Sequence, residues 1–200
     1  MQVTAHRVEA LDYAIVDDLF LPEELEEIEN EVNHIINLGV LQYPEETFSA
    51  KTQDERILKT GRGLLLNNYY SPEWQNAGIL RLVTKTSIPE IVDELKKTSA
   101  NYMHLKNTNR RTTLLNVYAN NEGYLGHYDG TPFTIVTFIG EDEFTGGDLV
   151  FPEFGVRILP VRNKTVIFPG CVLHEVEPVQ SQEGKYRKTL TQFLNYKERP

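Results

Sequence analysis

The sequence carries a single cysteine, Cys171, in 200 residues, so no internal disulfide can form and a reducing, cytoplasmic setting is the expectation. No apolar run approaches the roughly 18 residues that a membrane-spanning helix needs. The opening stretch MQVTAHRVEALDYAIVDD lacks the basic flank and apolar segment of a secretory signal. A soluble protein without membrane association is expected. Internal repeats and low-complexity tracts are absent too, which excludes solenoid, fibrous and disordered classes. Bases are nearly missing from the first 50 residues, where Arg7 stands alone against 12 of the 29 acids. The net charge of -9 therefore belongs to that segment, and residues 51–200 hold 17 acids against 19 bases. The basic face that nucleic-acid binding requires is not indicated, and such a partner is disfavoured.

What is present suits one compact domain over residues 1–200: 23.0 kDa with 40% hydrophobic residues can bury a sizeable core. From Leu21 to Gly39, Leu25, Ile28, Val32 and Ile35 recur at helical spacing behind Pro22 and Glu23, which predicts an amphipathic helix with its glutamates on a solvated face. A second helix is predicted from Ser71-Pro72-Glu73. A third is predicted from Ser87, which has capping-box spacing to Glu90. Between the first two lies the polar stretch Gln42 to Arg62, either a lid or a plain surface loop, followed by an apolar strand at Gly63 to Leu66. Residues 1–105 thus read as mainly helical support with a possible lid.

Past Arg110 the texture changes to short runs rich in β-branched and aromatic residues. Thr112 to Tyr118, Phe133 to Ile139, Asp148 to Phe151, Val156 to Leu159, Thr165 to Phe168 and Lys188 to Tyr196 all read as strands, with no helical segment between them. Many short strands without helical crossovers predict an antiparallel sandwich or barrel. The class is α+β, with supporting N-terminal helices and a β core over residues 106–200 for which the double-sheet jelly roll, or double-stranded β-helix, is one common solution.

Inside the β region, Gly126-His127-Tyr128-Asp129-Gly130 is followed 45 residues after Asp129 by His174. Two histidines and a carboxylate form the facial triad of non-haem Fe(II) oxygenases, in which neutral imidazoles leave the ion its charge and open positions remain for substrate and oxygen. Residues i and i+2 of an extended segment point the same way, so His127 and Asp129 can grip one ion. Taken alone the triplet is weak: His127 also reads as a turn residue and His174 as a core histidine. Arg187 opens a strand and can clamp a carboxylate through two parallel hydrogen bonds, with Thr189 and Thr191 on the same face; it also reads as a surface cation beside Lys185 and Lys188.

The order of the pieces resolves this. Asn116-Val117-Tyr118 with Gly123 to Asp129, then Thr145 to Phe151, Val166 to Pro169, His174 to Val179 and Arg187 to Thr191 together resemble the catalytic core of the prolyl 4-hydroxylase-like branch of the 2-oxoglutarate and Fe(II)-dependent oxygenases. The resemblance implies that His127, Asp129 and His174 are iron ligands and that Arg187 binds the distal carboxylate of 2-oxoglutarate. It further implies that Tyr118 contacts the same co-substrate, with Thr189 a further candidate. It implies Fe(II), 2-oxoglutarate and dioxygen as reactants, with ascorbate as a candidate reductant. Halogenating members resemble one another in lacking the carboxylate ligand, so Asp129 favours hydroxylation. Phe138 departs from the pattern, standing where some members place a co-substrate-binding tyrosine. The expected reaction is hydroxylation of an unactivated C–H bond in a prolyl or other residue of a protein or peptide. A free amino acid, small metabolite or alkylated nucleobase is the alternative substrate class, and a non-catalytic cupin-like binding domain the alternative role.

Overall fold

The chain begins with a hairpin, β1 (Gln2–Val8) and β2 (Leu11–Asp17), in the computed structural model, which describes residues 1–47, 49–71, 77–87, 89–140 and 143–196, without the Ser87 side chain. Strand alternation explains its place. Ala14 and Val16 enter one hydrophobic cluster and Leu11 and Tyr13 another, so both faces of β2 are buried. Helix α1 (Pro22–Asn37) follows, and its buried residues are the four that the spacing picked out. Glu24 accepts a hydrogen bond from the Leu21 N–H and so caps the first turn. Each of the four apolar side chains contributes about 1.5–3 kcal/mol on burial, which holds the helix to the sheet although its other face is acidic.

Next come β3 (Arg62–Leu65) and three short helices, α2 (Leu66–Tyr69), α3 (Gly78–Leu82) and α4 (Pro89–Leu95). The helix predicted from Ser71-Pro72-Glu73 falls on residues 72–76, outside the described residues. The helix expected at Ser87 starts later, at Pro89, where proline at the first turn gives up an N–H that has no partner there. The remaining strands are β4 (Arg110–Tyr118), β5 (Tyr124–His127), β6 (Phe133–Ile139), β7 (Phe144–Gly146) and β8 (Leu149–Phe151), then β9 (Val156–Ile158), β10 (Lys164–Phe168), β11 (His174–Val176), β12 (Val179–Ser181) and β13 (Arg187–Asn195).

These strands make a seven-stranded sheet in the order β1-β2-β10-β6-β13-β4-β3, a four-stranded sheet β5-β11-β8-β9 and a two-stranded ribbon β12-β7. One face of the large sheet, carrying Leu115, Ile135 and Leu190, packs with α1 and the other helices. Its other face, carrying Val136 and Phe138, packs with Leu149, Phe151 and Ile158 of the small sheet. Two antiparallel sheets packed face to face in this way form a double-stranded β-helix. The N-terminal half is less helical than the sequence reading had it, because β1 and β2 extend the large sheet through the β2–β10 pairing. No helix among the described residues is long and apolar enough to cross a membrane.

Candidate active site

His127 ends β5 and His174 begins β11, and the two are direct partners in the antiparallel register. Side chains opposite each other in such a pair stand about 5 Å apart. Asp129 follows β5 by two residues and is fixed by its N–H donating to the Gly170 carbonyl, 2.9 Å away. One ligand atom from each of the three side chains lies within 4.8 Å of the others, and this is the one such cluster of three among the described residues. The Asp129 carboxylate is 3.6 Å from the His127 Nε2 and 3.3 Å from the His174 Nε2.

The tautomers follow from local contacts. His127 Nδ1 sits 2.9 Å from the Leu125 carbonyl and His174 Nδ1 2.9 Å from the Val172 carbonyl. A carbonyl only accepts, so each Nδ1 carries a proton, and in the neutral ring each Nε2 offers a lone pair to the gap between the three residues. Burial pushes the His127 imidazole below its ordinary value, with His174 adding to the effect and Asp129 opposing it. For Asp129, burial works upward, yet the hydrogen bonds and charges of His127 and His174 outweigh it and hold the carboxylate well below its usual range. Thr134 donates a 2.5 Å hydrogen bond to the same carboxylate. Two neutral nitrogens and one buried carboxylate oxygen form a donor set suited to a divalent first-row metal.

His127 and Asp129 lie where two spaces meet, and His174 lines the inner one. An outer groove of about 570 Å³ is lined by Thr47, Ser49, Asn67, Arg110, Tyr128 and neighbours. An inner cavity between the sheets is lined by Asn116, Tyr118, Arg187, Thr189 and Thr191, and it shares His127, Asp129, Tyr124, Leu114 and Phe193 with the groove. Along β13, Phe193 is thus at the groove and Arg187 six residues further in. Arg187 is 1% exposed, so its reading as a surface cation fails. Its Nε donates to the Gly147 carbonyl at 2.6 Å, while its buried Nη2 has no hydrogen-bond partner. The guanidinium packs 5.2 Å from the Tyr118 ring centre and 5.1 Å from that of Phe138. Burial pushes it down to about 10, with Tyr118 and Asp148 opposing, so it remains a cation at neutral pH. Gly147, at φ +69°, leaves it room: a Cβ there would come within 2.7 Å of the Arg187 Cδ.

All six expected site residues therefore line one cavity. Sequence reasoning did not single out Thr134 or Asn116; alternation along β6 and β4 is the signal that would have placed them on the cavity face. It also missed the tie between the polar stretch and the site. The Ala50 N–H donates to the Tyr124 hydroxyl at 2.6 Å, and the Tyr124 ring stacks on the His127 ring at 3.6 Å between centres. Among the basic side chains past Arg110, Arg157 pairs with Asp148 and Glu177, Arg162 with Glu29, and Lys164 with Asp17.

Residues 113–195 match the family model described as the 2OG-Fe(II) oxygenase superfamily. No curated protein matches the sequence significantly. Among solved structures, a prolyl hydroxylase from Trichoplax adhaerens, in complex with a hypoxia inducible factor peptide fragment, aligns at 15% identity over 92% of this chain and 83% of that one, with a TM-score of 0.64. A Pseudomonas putida prolyl-4-hydroxylase aligns at 17% identity over 96% of each chain, with a TM-score of 0.63. The 2OG complex of a viral collagen prolyl hydroxylase from Paramecium Bursaria Chlorella virus-1 aligns at 15% identity over 92% of this chain and 96% of that one, with a TM-score of 0.54. Over residues 113–195 the chain is similar to the 2-oxoglutarate and Fe(II)-dependent oxygenase superfamily, and its fold is that of the solved prolyl hydroxylases.

Proposed function

We propose that the protein is a 2-oxoglutarate-dependent oxygenase that hydroxylates an unactivated C–H bond in a prolyl or other residue of a protein or peptide, with His127, Asp129 and His174 holding Fe(II). The observation that carries the reading is a cavity with opposite needs along its length. A lone buried carboxylate faces two imidazole lone pairs at the groove, and a buried guanidinium with an unpartnered Nη2 lies further in. A divalent metal would supply what the first lacks, and a 2-oxo dicarboxylate could chelate that metal with one end while accepting from Arg187 with the other. When bound, Fe(II) and 2-oxoglutarate would activate dioxygen, the oxidant: one oxygen atom would end in the succinate formed as 2-oxoglutarate loses carbon dioxide, and the other in the hydroxyl that replaces a substrate hydrogen.

The protein's own contribution is positional. The Nδ1–H bonds to Leu125 and Val172 fix both rings with Nε2 toward the gap, and Thr134 fixes one Asp129 oxygen. Arg187 would hold the distal carboxylate, with Tyr118 stacked against the guanidinium and Thr189 on the same face. The outer groove supports a peptide-sized substrate, since it extends well beyond the three metal-facing residues and its wall mixes hydroxyls, amides and arginines. A reducing cytoplasm belongs to the same reading, because Cys171 is exposed and free.

The test is turnover by purified protein with Fe(II) and dioxygen. Succinate should form slowly from 2-oxoglutarate alone and faster with a suitable proline-containing peptide, which gains one oxygen atom. Absence of succinate under every condition would sink the reading. Acceleration by a free amino acid, a small metabolite or an alkylated nucleobase, but by no peptide, would correct the substrate class.

A further inference from the structure

Lys59 is 3% exposed, an unusual position for a lysine, and none of the roles above uses it. It lies just before β3, and its side chain runs under the sheet to the cavity wall. Its Nζ donates to the Asn116 Oδ1 at 2.6 Å, and the Asn116 Nδ2 donates to the Thr191 Oγ1 at 2.9 Å. Asn116 and Thr191 both line the cavity that holds Arg187. Gly63 leaves the ammonium its room: a Cβ there would lie 3.1 Å from Nζ and 2.9 Å from the Leu115 carbonyl oxygen.

The chain of bonds has a fixed direction while Lys59 is charged. An ammonium has donors and no acceptor, so Asn116 must turn its oxygen to Lys59 and its NH₂ to Thr191. Thr191 then accepts, and its own proton is left to donate into the cavity, which suits a carboxylate. A neutral Lys59 amine offers a lone pair. Asn116 can then reverse, Thr191 can donate to it, and the cavity meets an oxygen lone pair that repels a carboxylate.

We propose that Lys59 is a positioning residue for the anionic co-substrate: it takes up a proton as 2-oxoglutarate binds and, through Asn116, sets the Thr191 hydroxyl to donate. The proposal rests on the co-substrate assignment above. Burial pushes the Lys59 ammonium down to about 7, with Glu122 pulling the other way, so the free protein holds it near half-protonated at neutral pH. The other titratable groups facing it are Tyr118, whose ring centre is 5.7 Å from Nζ and which also carries Arg187, and Tyr124, its bridge partner. Burial raises both phenols, so neither ionises near neutrality. A dianion nearby raises the Lys59 value. Affinity is therefore greatest below the free value and falls as pH rises from about 7 toward the bound value.

Calorimetric titration of 2-oxoglutarate into the Fe(II)-loaded protein without oxygen, in two buffers of different ionisation enthalpy, counts the protons. Near pH 7 the wild type should take up about half a proton, and its Kd should rise from about pH 6.5 to about pH 8.5. Lys59→Met should abolish the uptake, flatten that pH dependence and weaken binding at about pH 6.5 by roughly tenfold. 2-Oxoglutarate is fully ionised over this range, and imidazoles bound to metal do not titrate, so neither contributes. A wild type that takes up no proton, or a Lys59→Met variant that still does, would overturn the proposal. The wild-type measurement stands even if the variant does not fold. Absence of binding by the loaded wild type would remove the co-substrate assignment itself, and this inference with it.

Discussion

The groove end and the interior of the cavity are built to opposite electrical plans. At the groove, one ionised carboxylate is buried between two imidazoles, leaving a site that is short of a cation. In the interior, Arg187 is buried with an unpartnered Nη2, leaving a site that is positive and short of an anion. Neither arrangement favours folding, since an uncompensated buried charge costs several kcal/mol. The two differ in their support. The groove site hangs from three-residue and four-residue strands and one loop, whereas Arg187 lies on the nine-residue strand β13, paired on both sides. Each half is stable enough to persist and incomplete enough to bind, and the ligands each lacks are of opposite sign.

The largest test of this contrast removes the negative half. Alanine at His127, Asp129 or His174 should abolish turnover and weaken Fe(II) binding by more than roughly 100-fold, given that loss of an outer partner alone costs 10–100-fold. Circular dichroism should still report a folded protein, and near-native turnover with full metal content would discard the ligand set. Arg187→Lys acts on the positive half only. Losing the two-pronged geometry should raise the 2-oxoglutarate Kd by roughly 10–100-fold, equal to about 1.5–3 kcal/mol, with metal content unchanged. If 2-oxoglutarate dependence stays as in the wild type, the carboxylate is held elsewhere. The smallest effect is expected from shortening the stretch between Tyr43 and Asp54, which forms part of the groove wall through Thr47 and Ser49. Decarboxylation without substrate should persist while hydroxylation of the true substrate falls several-fold. Equal loss of both would show that the Ala50 bond to Tyr124 is needed to seat His127.

The same contrast explains how much could be read from the sequence. Long elements with clear periods were legible: α1 from Leu25, Ile28, Val32 and Ile35, and β6 and β13 from their β-branched runs. β5, β7, β11 and β12 were not, because three or four residues carry too little periodicity and glycine, histidine and polar side chains displace the usual strand formers. The hairpin of β1 and β2 was missed for another reason: both faces of β2 are buried, so Leu-Asp-Tyr-Ala-Ile-Val does not alternate cleanly. The candidate site residues were legible through their order along the chain. Lys59 was not, since nothing local distinguishes a lysine that is buried from one that is solvated.

On the proposed ligand set, the register of His127 against His174 would give a bound metal a part in folding as well as in chemistry. Paired strands of four and three residues, with a register irregularity between His174 and Val176, have little hydrophobic pattern to fix their alignment. A slip of one residue would turn His174 to the opposite face and scatter the three ligand atoms. An ion bound by all three can therefore be held only in the native alignment. Its binding energy would add to native stability by mass action, so it would proofread the pairing of these two short strands at the mouth.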